Sequence, residues 1–248
     1  MSRLIKYEFR KSMLSKLVII GITAVMEIIF LIGIFGDYEK PSALGVAGLV
    51  FIALAGIAFI GIESILTLYR DLTTKQSYML FMTPNSSYRI LGAKVLENAI
   101  SVLLTGAFFG LLAILDFSLL LNKFATYGDI IEFAKKALES IDPRLTLDYR
   151  AFLTLVFMLL CSWLLRIGTG YLAVVIGCTL LAGKRGCWII CFLLYIGISI
   201  LIGIGMNRIP SADLRVLNYM MIMSVISLLC SIVMYFITAW IMDRKLSV

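Results

Sequence analysis

Residues 188–206 read WIICFLLYIGISILIGIGM and contain no charged side chain and no proline. A helix needs about 20 apolar residues to cross a hydrocarbon core of roughly 30 Å, and this run has that length. It neither alternates polar with apolar residues nor stops after about ten of them, so it is not a barrel strand. Five further stretches share its character: residues 16–35, 43–68, 98–121, 151–182 and 217–242. Hydrophobic residues make up 61% of the chain and the mean hydropathy is +1.02. A soluble domain has no use for that much apolar surface. The sequence therefore predicts an all-α membrane protein, one domain of six transmembrane helices over residues 1–248.

Charge gives the expected direction. With the N-terminus inside, 13 Lys and Arg face the cytoplasm and 8 face outward, Arg166 lying within a span. Acidic residues divide four inside to eight outside. Such a bias places both termini in the cytoplasm and the chain in the cell membrane. The net charge of +7 is accounted for by anionic lipid heads, so no nucleic-acid partner is expected. The first apolar stretch is long and lacks a following cleavage pattern, so it reads as a retained span rather than a signal peptide.

Two connectors stand out. In residues 2–15, Leu4, Ile5, Phe9 and Met13 fall on one side of a helical wheel and Arg3, Lys6, Arg10 and Lys11 on the other. That pattern predicts an amphipathic helix lying at the membrane interface. Residues 69–97, YRDLTTKQSYMLFMTPNSSYRILGAKVLE, are too polar for the bilayer and too long for a tight turn. Leu72, Met79 and Phe81 sit among charges and hydroxyls, as on a short surface helix over 71–82. Pro84 disfavours helix at Thr83, and Asn85 or Ser86 can cap a helix starting near Tyr88.

This region resembles the permease subunits of ABC-2 type ATP-driven transporters. The resemblance rests on the basic amphipathic start, two spans, then Asp71, the aromatic–Met–Leu run at 78–81, Thr83-Pro84, a Ser pair, and Gly92-x-Lys94 entering the third span. It implies that residues 71–82 are a cytoplasmic coupling helix fitting a groove on an ABC ATPase subunit. Asp71, Leu72, Tyr78, Met79, Leu80 and Phe81 would form the contact, with Lys184 and Arg185 of the basic turn after span four as a minor second one. The chain has no G-x-x-x-x-G-K-[ST] phosphate loop, so the chain itself is expected to be non-catalytic, with ATP and magnesium bound by the partner. A second permease copy or a paralogue would complete the pathway. The cargo would be an amphipathic or hydrophobic peptide, lipid or drug-like molecule. Unlike better-known relatives, this chain has its larger outer segment between spans three and four, residues 122–150, where 129–138 has helical apolar spacing. A different class, a non-transporting immunity, sensor or scaffold protein, would keep the six spans without needing the coupling loop. An intramembrane enzyme is disfavoured, because the chain has no His and no paired acids within one span.

Ionisable groups inside spans are functional candidates because they are costly there. At about 1.5 Å of rise per residue, Glu27 lies about 16 Å past Lys16 and Glu63 about 10 Å before Arg70. Asp116 and Arg166 come out about 33 and 27 Å from Lys94 and Lys184. Their similar depth predicts a salt bridge or shared polar cluster. Glu27 has no cation at its depth and is expected on the pathway or at a dimer interface. Gly106 and Gly110 form a G-x-x-x-G that reads as ordinary packing.

The five cysteines, Cys161, Cys178, Cys187, Cys191 and Cys230, are odd in number and lie in or beside spans, which argues against a disulfide framework. Cys187 and Cys191 share a helix face. Without a third ligand or any His, they read as small buried hydrophobes rather than a metal site.

Overall fold

A computed structural model describes residues 2–36, 39–73, 86–124, 149–180, 186–208 and 216–245. Six helices account for nearly all of them: α1 Ser2–Phe35, α2 Glu39–Thr73, α3 Ser87–Phe124, α4 Tyr149–Leu180, α5 Cys187–Asn207 and α6 Val216–Lys245. No strand occurs among the described residues. All six are long and apolar enough to cross a membrane. In hydrocarbon no water satisfies a free backbone amide, so a helix, which bonds its own amides, is the structure such sequences adopt.

The helices overrun the apolar windows. Residues 2–15 are helical, but they continue into the first span within α1 instead of forming a separate element. No Gly or Pro stands between Ser2 and Ile20 to break the hydrogen-bond ladder. The polar connector is likewise shorter than 69–97. Residues Tyr69 to Thr73 complete α2, and α3 begins at Ser87. Ser86 supplies the carbonyl that accepts Arg89 N–H (2.9 Å) and Ile90 N–H (3.3 Å), which is the backbone role of a cap residue. Hydropathy reports where apolar side chains stop, whereas the ladder runs on through charged residues that are good helix formers. Tyr78, Met79, Leu80, Phe81, Lys184, Arg185 and residues 125–148 lie outside the described residues.

The chain divides into two compact units. The first comprises Met1–Glu63 and Leu96–Ala137. In it α1 and α2 run antiparallel, and Gly45 makes this possible: a Cβ there would stand 2.6 Å from the Cα of Phe30. Phe30 is fully buried at that crossing. Small residues bring backbones together in lipid, where association depends on close packing rather than on expelling water.

The second unit comprises Ser64–Val95 and Leu138–Val248. Here α4 packs against both α5 and α6. Its core gathers Leu68, Leu91, Ile167, Tyr171, Val174, Val175, Ala239 and Met242 with Cys178, Cys187 and Cys191. Gly186 precedes α5 at φ 100°, a left-handed conformation that glycine adopts without a Cβ penalty. Large apolar side chains such as Leu54, Leu111 and Leu201 remain exposed, an outer surface suited to lipid rather than water.

Candidate functional site

In the second unit, one ion pair lies at the place the resemblance points to. Lys94 Nζ donates to Asp71 Oδ2 at 2.6 Å, and both side chains are almost completely buried. Asp71 belongs to the last turn of α2 and Lys94 to the second turn of α3. The pair thus ties together the two helix ends that residues 74–85 connect. Further polar contacts hold α3 in place: Tyr235 of α6 donates to the Tyr88 carbonyl at 2.7 Å, and Ser87 donates to Asp243 at 3.2 Å. Ser64 and Tyr171 share a buried hydrogen bond between α2 and α4. Leu72 packs against the core of this unit. Among the residues expected to touch an ATPase, Asp71 is buried in this ion pair and Leu72 is partly buried against the core of the unit. Both stand on the face of α2 that carries Leu68 inward.

In the first unit, a polar seam joins α1, α2 and α3. Lys16 Nζ donates to Glu97 Oε1 at 2.7 Å and to Ser101 Oγ at 2.6 Å. Ser12 and Ser101 each donate to the same Glu97 oxygen at 2.9 Å. Lys16 also stands 4.2 Å from the centre of the Phe9 ring. Glu63 accepts a 2.6 Å hydrogen bond from Ser15, and Asn98 donates to the Ile60 carbonyl at 3.3 Å. Counting windows had made Lys16 a span boundary and Glu97 the end of a connector. The Ser12/Lys16 and Glu97/Ser101 spacings of four were the available signal, since each pair shares a helix face.

Also within this unit, the Asp116 carboxyl neighbours that of Glu27. Glu27 Oε2 and Asp116 Oδ1 are buried without a partner. Asp116 also lines an apolar cavity of about 200 Å³ with Val46, Val50, Phe109 and Phe117. Asp116, expected to share a polar cluster with Arg166, has Glu27 as its neighbour in the first unit, and Arg166 is an exposed residue of the second. Depth along a helix sets height but not the face on which a side chain stands. Lys94 is itself buried in its ion pair with Asp71. From Ser101, which bonds Lys16, Asp116 is only about 22 Å further along.

Gly106 and Gly110 have nothing within 4 Å where a side chain would point, so the G-x-x-x-G face is not used for packing among the described residues. The cysteine reading also changes. Cys178 of α4 joins Cys187 and Cys191 of α5, supplying the third thiol that sequence spacing lacked. Cys178 and Cys187 stand nine positions apart, and the packing of α4 on α5 brings their sulfurs together. Compared with family models, curated proteins and solved structures, the chain matches none of them.

Proposed function

We propose that this chain is the membrane-spanning permease subunit of an ATP-binding cassette exporter of the ABC-2 type. It pairs with a separate ATPase subunit and with a second permease copy or paralogue. It moves an amphipathic or hydrophobic cargo across the cell membrane by alternating access, with both termini and residues 74–85 on the cytoplasmic side. The observation that carries this reading is the buried Asp71–Lys94 pair. It closes the ends of the polar connector onto the body in which α4, α5 and α6 pack. A force applied to Tyr78, Met79, Leu80 and Phe81 would then reach the helix packing through two helix ends held in one register. Coupling of this kind works only if the ATPase binds two arrangements of the spans with different free energy.

Affinity purification of the full chain from its native membrane tests the reading. A nucleotide-hydrolysing subunit should accompany it. Replacing residues 78–81 by Ala should release that subunit while leaving the yield of the chain unchanged. Absence of any such ATPase from the wild-type preparation, or its retention by the Ala variant, would favour the non-transporting class.

A further inference from the structure

Beyond the transport reading, and independent of it, the second unit holds a constellation with its own chemistry. Cys178, Cys187 and Cys191 are each no more than 6% exposed. Their sulfurs all lie within 4.8 Å of one another. Cys187 Sγ stands 4.0 Å from Cys178 Sγ and 3.9 Å from Cys191 Sγ. We propose that these three thiols bind one soft monovalent cation, copper(I), in a trigonal all-sulfur site.

Distance is the first argument. A metal–thiolate bond of about 2.3 Å puts the sulfurs of a trigonal site about 4.0 Å apart. The two edges from Cys187, 4.0 and 3.9 Å, match that length. The site needs no helix to move, only small rotations about Cα–Cβ to aim the lone pairs inward.

Ligand count selects the metal. Structural zinc is almost always four-coordinate, with His or Cys completing the tetrahedron. The chain has no His. No fourth Cys, Asp or Glu joins the cluster among the described residues. Soft thiolates with three positions and no hard ligand suit copper(I).

Placement orders the ligands. Cys187 is the first residue of α5, and Cys191 follows one turn later, so both thiols leave one face of that helix end. On binding, each sulfur gives up its proton to solvent and forms one sulfur–metal bond. No electron is transferred. Gly177 fits the same design, because a Cβ there would collide with Cys191 Sγ. The close approach of α4 to α5 that assembles the cluster depends on that missing side chain.

The full-length chain, purified in detergent under reducing conditions, should be titrated with copper(I) against a competing chromophoric chelator. One equivalent should be retained, with X-ray absorption showing three sulfur neighbours at about 2.3 Å. Cys178→Ser, Cys187→Ser and Cys191→Ser should each weaken retention about 100-fold, the upper end of what losing a supporting group already costs. Cys161→Ser and Cys230→Ser should retain the metal like wild type. Should any cluster variant fail to fold, pulse alkylation of the wild-type chain gives a second readout. Applied in mild denaturant, where local opening exposes the buried thiols, the pulse should label Cys178, Cys187 and Cys191 in the metal-free chain and spare all three with copper(I) bound, while Cys230 is labelled in both. Failure to compete with the chelator, a two-sulfur linear spectrum, preferential uptake of zinc, or equal losses on replacing any of the five cysteines would overturn the proposal.

Discussion

At the scale of single residues, buried polar contacts divide those that hold the chain together from those with capacity to spare. Asp71 and Lys94 form a desolvated pair, so removing one takes a buried, charge-assisted hydrogen bond from the other. Asp71→Leu should cost about 3–5 kcal/mol of stability, whereas the double change Asp71→Leu, Lys94→Met should recover most of it. Thermal melting of the purified protein in detergent, with the two single variants alongside, checks this. The Glu27–Asp116 contact behaves differently because a carboxamide has the size of a carboxyl and can donate to its neighbour. Asp116→Asn should therefore leave the melting temperature almost unchanged, while Asp116→Leu, which leaves the Glu27 carboxyl unmatched, should lower stability by about 1–3 kcal/mol. Equal losses for the two variants would refute a donor–acceptor contact at this point. Sequence showed these four residues as charged groups in or near apolar stretches. It did not show their partners, because partners are chosen by the face on which each side chain emerges and by which helices touch.

At the scale of elements, helix contacts explain why chemically similar glycines differ in importance. Gly45 faces the Phe30 backbone, so Gly45→Ala forces α1 and α2 apart and should cost about 1–3 kcal/mol. Gly106 has open space before it, and Gly106→Ala should be neutral or slightly stabilising, since Ala is the better helix former. Chemical denaturation of the two variants side by side reads the difference. The recognisable G-x-x-x-G of α3 is thus not where this chain uses close approach, whereas isolated Gly45 and Gly177 are. A motif states that backbones can meet there; it does not state that a neighbour arrives. The ends of elements follow the same logic. The apolar windows located all six helices, and α3 begins at Ser87, beside the start expected near Tyr88; α1 runs from Ser2 into the first span as one helix because backbone hydrogen bonding continues wherever no breaker intervenes.

For the whole molecule, the distribution of basic residues and the reading as a permease make a joint statement about direction. A C-terminal fluorescent protein fusion should be bright and a C-terminal alkaline phosphatase fusion inactive, as expected for a cytoplasmic end. The opposite pattern would put residues 74–85 on the wrong side for any ATPase. Composition, run length and the placement of Lys and Arg determined the class, the number of helices and the expected orientation, because water and lipid select apolar length and charge without reference to any neighbour. The partnerships of Lys16 with Glu97, Asp71 with Lys94, Glu27 with Asp116, and Cys178 with Cys187 and Cys191 were decided by tertiary structure alone. They depend on which faces of separate helices meet, and that is set by packing between segments far apart in the chain.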